Sequence, residues 1–186
     1  EMWKKWVDVD EQNRITLACR AMLIQEQEQT QKNKPNRNIL LEAGIGAFFS
    51  SKLKQQYGII EDEHVLLDSL QQRGLSDSDI DIVVLSHLHF DHAGGLLAEF
   101  KEGAPPQLLF PNATFIVSEK ALERASNPHP RDRASFIPEL VDLLQQSGRL
   151  EIIRHGHISS HTLGDDYSFH YSDGHTPGMM LTEVEN

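Results

Sequence analysis

Apolar and polar positions along the chain fall into short blocks whose periods differ. Residues 14–25 alternate partially and are rich in β-favouring side chains, and Ile39-Leu40-Leu41-Glu42 is a short apolar run closed by Ala43-Gly44-Ile45-Gly46. Both predict strands. Between them, residues 26–38 are polar, Gln-rich and contain Pro35, the composition of an exposed hairpin connection. Helical spacing at 48–57 and at 64–73, the second stopped by Gly74, predicts two helices. Ser76-Asp77-Ser78-Asp79 predicts a turn or short helical start, and Ile80-Asp81-Ile82-Val83-Val84-Leu85 a buried strand. A short helix is expected at 94–100. After the Pro105-Pro106 break the pattern predicts a strand at 113–118, a helix at 119–126 and another at 137–146, ending near Gly148. Further strands are expected at 150–154, 167–172 and 179–184. Helices and strands mix throughout and strands follow one another near the end, so a layered α/β sandwich fits better than simple βαβ alternation.

Composition narrows the class. The 186 residues suit one domain, 1–186, with a substantial core. No apolar run approaches the roughly 20 residues that span a bilayer, and the net charge of −11 without Lys/Arg clusters argues against nucleic acid as a partner. A small-molecule substrate is the expectation. Cys19 is the single cysteine, so any metal site must be built from His and carboxylates. The opening Glu1-Met2-Trp3-Lys4-Lys5-Trp6 lacks the basic-then-apolar pattern of a secretory leader. A cytoplasmic location is therefore expected, with Glu1 allowing for trimming upstream.

The candidate chemistry lies in Ser86-His87-Leu88-His89-Phe90-Asp91-His92. In an extended segment residues two apart point the same way, which predicts that His87, His89 and Asp91 converge while Leu88 and Phe90 turn to the core. His92 then aims at a second position beside the first. Imidazole and carboxylate donors suit zinc, with manganese or iron as alternatives. A His-x-His-x-Asp-His pattern arises by chance about 0.002 times in a chain of this composition.

The run Ser-His-Leu-His-Phe-Asp-His-Ala-Gly-Gly after an apolar strand resembles the signature loop of the metallo-β-lactamase superfamily. Ser172-Asp173-Gly174-His175-Thr176-Pro177-Gly178 resembles that family's next His-bearing loop. The resemblance implies an αββα sandwich holding two zinc ions per complete protein. It assigns His87, His89 and His175 to one ion, and Asp91 and His92 to the other. Leu40 to Gly46 resembles the family's early strand and Gly-rich turn, where an Asp usually stands at the position of Glu42. Glu42 is then either a hydrogen-bonding support for a metal-binding His or an ordinary strand-end carboxylate. The family's bridging Asp and final His are expected after His175, yet the eleven residues that follow contain neither. The chain is therefore expected to be incomplete at its C-terminus, with a weak second metal position.

The branch most resembled is that of lactonases and organophosphate hydrolases. It implies a metal-activated hydroxide attacking a small ester, a lactone first of all, with Asp91 orienting the nucleophile and passing a proton to the leaving group. An iron-dependent oxidoreductase on the same scaffold and a non-catalytic remnant are the alternatives. Asp173 is expected to shape its loop. His155, His157, His161 and His170 match no ligand spacing, His129 is expected in an exposed turn, and His64 is expected to be a solvated helical side chain. Trp3 and Trp6 are expected to pack an N-terminal segment, with a homodimer contact or a substrate lip as the other uses.

Overall fold

The computed structural model describes residues 5–27 and 36–185; Trp3 and the middle of the 26–38 connection lie outside them. In chain order the elements are β1 (Met22–Glu26), β2 (Arg37–Leu41), α1 (Ser51–Tyr57), α2 (Val65–Gln71), β3 (Ile82–Val84), α3 (Phe90–Ala93), β4 (Thr114–Ser118), α4 (Glu119–Ser126), α5 (Leu140–Gln146), β5 (Leu150–Ile153), β6 (Tyr167–Ser172) and β7 (Met179–Val184). A five-stranded sheet runs in the order β1-β2-β3-β4-β5, antiparallel between β1 and β2 and parallel from β2 onward. β6 and β7 form a separate antiparallel pair.

The continuous apolar runs of β3 and β4 follow from burial on both faces. Along β3, Val83 joins a core with the helices, while Ile82 and Val84 point the other way. In β4, Phe115 and Val117 join the helical core and Ile116 opposes them. Leu70 of α2, Leu122 of α4 and Leu140 and Leu144 of α5 close the first face. Phe169 and Tyr167 of β6 and Met180 of β7 close the second. Each such side chain contributes about 1.5–3 kcal/mol on burial. The result is a helical layer, a five-stranded sheet and a second sheet.

The small sheet is pinned to the large one. Arg37 donates to the carbonyls of Thr162 and Leu163 and pairs with Glu26, which also accepts from the Tyr167 hydroxyl at 2.8 Å. Met180 N donates to Ser86 O at 2.9 Å, so β7 is tied to the start of the His-rich loop.

Three expectations are corrected. Residues 14–21 are not strand: the ladder between β1 and β2 stops at Met22 opposite Leu41, because β2 ends there and the chain turns at Glu42, whose φ is +68°. Only Gly94–Leu96 of the expected 94–100 helix forms, as a single 3-10 turn, after which Leu97 pairs with Leu108 in extended form. Trp6 does not pack but stands 85% exposed. No helix among the described residues is long and apolar enough to cross a membrane.

Candidate metal centre

The site forms at the C-terminal ends of β2 and β3, beside the loop that joins β6 to β7. β3 delivers Ser86 and His87. The backbone stays extended through His89 (φ −67°, ψ 150°), which starts α3, and His92 N and Ala93 N both donate to His89 O. This departs from the strand alternation expected at Asp91. A helical turn, not an extended strand, brings Asp91 and His92 round to the side of His87. Leu88 is buried as expected, and Phe90 packs edge-on against Phe49.

The turn after His92 is held by close backbone approach. A Cβ on Gly94 would overlap Ile45 O, and one on Gly95 would overlap Ala43 O, so the turns at 43–46 and 93–96 interlock only with glycine there. Gly95 N donates to Gly44 O, and Ala43 N to His92 O at 2.9 Å. His64 adds a third fastening and corrects its expected role. It is buried, its Nδ1 accepts from Leu67 N to cap α2, and its Nε2 lies 3.1 Å from Gly95 O. With Nδ1 accepting, Nε2 carries the proton and donates to that carbonyl.

The loop bearing His175 rests on α4. Ser118 Oγ donates to Gly178 O at 2.5 Å, Lys120 pairs with Asp173 at 2.7 Å, and Asp173 Oδ1 accepts from Gly178 N. Asp173 thus shapes its loop, as its position suggested. Gly178 has a φ of +77° and no room for a Cβ beside Lys120.

Two sets of ligand atoms come within 4.8 Å of one another, His87, His89 and His175 in one and His87, Asp91 and His92 in the other. The ring centroids of His87 lie 4.5, 4.2 and 5.0 Å from those of His89, His92 and His175. His89 Nδ1 is 3.2 Å from His175 Nε2. A tetrahedral ion with nitrogen ligands at about 2.0–2.1 Å holds neighbouring nitrogens about 3.3 Å apart, so this pair already has the spacing of two ligands. His87 Nε2 is buried without a hydrogen-bond partner, a cost that coordination would remove. The donor set therefore fits a divalent cation.

Electrostatics prepare these donors. Burial, and then the neighbouring charges of His92, His89 and His175, push His87 down to about 3. Burial and His175 also lower His89. Both imidazoles are neutral near pH 7, as a ligand must be. Burial opposes the charged form of His92, but the hydrogen bond and charge of Glu42, with Asp91, outweigh it and raise the group.

Glu42 accepts from Ser86 N at 2.9 Å through Oε1 and lies 3.2 Å from His92 Nδ1 through Oε2. Of its two expected uses the structure realises the hydrogen-bonding one. The positive φ of Glu42 is what turns its side chain across the loop, a strained conformation for a non-glycine residue. Ser86 Oγ lies 2.9 Å from His87 Nδ1. Both contacts leave Nε2 of the imidazole free for the metal side.

A family model of the metallo-beta-lactamase superfamily matches residues 17–185. The chain belongs to this superfamily. A "probable metal-dependent hydrolase" of Staphylococcus aureus superposes with a TM-score of 0.78 at 26% identity, over 100% of this chain and 60% of that one. A dizinc quorum-quenching lactonase in complex with a product superposes with a TM-score of 0.60 at 25% identity, over 88% of this chain and 52% of that one. A "probable metallo-hydrolase" of Methanocaldococcus jannaschii is 31% identical over 86 residues, 46% of this chain and 36% of that one. This member of the superfamily thus spans about 60% of the staphylococcal protein's length.

Beside the centre runs a largely apolar groove of about 520 Å³, lined among others by Phe48, Phe49, Tyr57, Phe90 and Phe136. Phe136 packs its ring 4.7 Å from that of His89 and pairs with it through the backbone, so Phe136 has the groove on one side and an imidazole on the other. Nothing in the spacing of Phe136 marked it for this position. The other histidines stay apart. His129 sits in an exposed turn with Nδ1 accepting from Arg131 N, His170 pairs with Glu183 at 2.6 Å, and among the described residues His155, His157 and His161 join no ligand set.

Proposed function

We propose that the protein is a metal-dependent hydrolase of small esters, with a lactone bearing an apolar substituent as the leading substrate class. The observation that carries this reading is the convergence of His87, His89 and His175, with Asp91 and His92 beside them; an apolar groove adjoins the cluster through Phe90 and Phe136. In this reading His87, His89 and His175 hold one ion and His87's neighbours Asp91 and His92 hold the other. Zinc suits the nitrogen-rich set, and manganese or iron can occupy it. A bound divalent ion supplies Lewis acidity, which polarises the ester carbonyl and brings water to nucleophilic strength near neutral pH.

The chain's own residues supply the rest. Asp91, 3.6 Å from His92 Nε2 and partly exposed, is the catalytic carboxylate: it takes the proton of the attacking water and returns it to the leaving oxygen as the acyl C–O bond breaks. Phe90 and Phe136 position the apolar part of the ester and keep bulk water from the reacting carbonyl. The relation to a dizinc lactonase at 25% identity supports the substrate class.

The test is to strip the purified protein with chelator, reload it with zinc, manganese or iron, and follow acid release from lactones of increasing chain length. Zinc-restored turnover that improves with chain length is the expected result. Iron retention with oxygen consumption and no ester cleavage would replace the hydrolase with an oxidoreductase, and metal uptake without turnover would leave a binding remnant.

A further inference from the structure

The inference rests on the metal-centre reading and concerns how one ligand is held. His89 directs Nδ1 toward His175 Nε2, 3.2 Å away, so Nδ1 is its coordinating nitrogen. An imidazole that coordinates through Nδ1 carries its proton on Nε2, and His89 Nε2 is buried with no hydrogen-bond partner. A buried N–H left unpaired forfeits its hydration without recompense. The neighbouring ligands do not share this defect: His87 has Ser86 Oγ and His92 has Glu42 on the nitrogen away from the metal side.

A second orphan belongs to the segment packed on His89. Asp132 gives one oxygen, Oδ2, to Arg124, at 2.9 Å from Nε and 2.8 Å from Nη2. Its other oxygen, Oδ1, is buried and has no partner. Asp132 stands four residues before Phe136, joined to it by a 3-10 turn at Arg133–Ser135, and Phe136 lies against the His89 ring and pairs with its backbone. The charge of Asp132 is felt at His89 as well, where it favours protonation against the effect of burial. One donor lacks an acceptor and one acceptor lacks a donor, on two segments that are packed together.

We propose that Asp132 is a positioning residue for the metal centre, its Oδ1 accepting the Nε2 proton of His89 when Nδ1 coordinates, with Arg124 holding the other oxygen. The carboxylate–imidazole–metal relay this makes orients the ring and raises the basicity of Nδ1. It also gives the Asn127–Phe136 loop a role beyond lining the groove.

The test compares Asp132→Ala with Arg124→Gln in zinc titrations of the metal-stripped protein against a chelator, alongside thermal melts in excess chelator. Both variants break the same ion pair, so both lower the melting temperature of the metal-free protein to a similar extent. Asp132→Ala removes the acceptor and weakens zinc binding by about 10–100-fold, whereas Arg124→Gln loosens the carboxylate without removing it and weakens zinc binding by a clearly smaller factor. The zinc-loaded parent, labelled with 15N-histidine, gives an exchange-protected Nε2 proton for His89 that does not depend on any variant folding. Equal zinc affinity in Asp132→Ala and the parent, equal losses in both variants, or a freely exchanging His89 Nε2 proton overturns the proposal. A parent protein that takes up no zinc, manganese or iron overturns the metal-centre reading itself.

Discussion

Changing Glu42 to Gln exchanges one carboxylate oxygen for an NH2 group and tests how the site is wired. The amide can still place an oxygen on Ser86 N, which Glu42 Oε1 holds at 2.9 Å. Its NH2 then faces His92 Nδ1, donor against donor, where the carboxylate now sits at 3.2 Å. The imidazole escapes by moving its proton to Nε2, the nitrogen 3.6 Å from Asp91 Oδ2 that the metal side needs unprotonated. Losing one charge-assisted hydrogen bond removes about 1.5–3 kcal/mol. The two side chains are 35% and 21% exposed, so solvent takes part of this, and about tenfold in zinc affinity at the His92 side is the expected loss. Chelator-competition titration measures it. A second readout is pH. In the metal-free protein His92 is raised above its ordinary 6.5, by Glu42 acting against burial. Its contribution to stability is therefore fully present below pH 6.5 and is lost as pH rises through the folded value. The melting-temperature gap between parent and Glu42→Gln in chelator is expected to be wide on the acid side and to close as pH rises. Zinc affinity within about twofold of the parent, together with a gap that does not vary with pH, would refute the wiring.

Gly95→Ala drives a Cβ into Ala43 O and is expected to cost about 3 kcal/mol, read by urea unfolding, with zinc affinity falling alongside because the Asp91–His92 turn is displaced. His64→Ala removes both the cap of α2 and the donor to Gly95 O. A loss of about 2 kcal/mol is expected, half restored by His64→Asn, which can cap but not reach across; equal stability of all three proteins in urea would show the contacts to be idle. His87→Ala or His175→Ala is expected to abolish tight zinc binding while His157→Ala leaves it unchanged, as measured by metal content after desalting.

Much of the fold was legible because its signals are local. The strand periods at 167–172 and 179–184 and the helix at 119–126 match β6, β7 and α4 residue for residue, since alternation between a packed and an open face is written in neighbouring positions. The candidate ligands were legible for the same reason: His87, His89, Asp91 and His92 share one seven-residue stretch, and His175 sits in a loop with its own Gly and Pro signals. The helical turn that aims Asp91 was not, because an extended and a helical reading of Phe90-Asp91-His92 place similar residue types on similar sides.

What the chain's order alone determined is the candidate donor set, whose nitrogen-rich chemistry suits a divalent ion, and the alternation of elements that brings β3 into the loop. Tertiary structure decided the rest. Glu42 reaches a loop 44 residues away at Ser86, and does so through a positive φ that no local propensity favours. His64 was expected in water and is instead buried, because α2 docks where Gly95 exposes a carbonyl. Phe136 meets His89 across 47 positions of sequence. Hydrogen-bond partners of buried polar groups are set by what packing excludes from water, and packing between distant segments has no periodicity along the chain from which to be read.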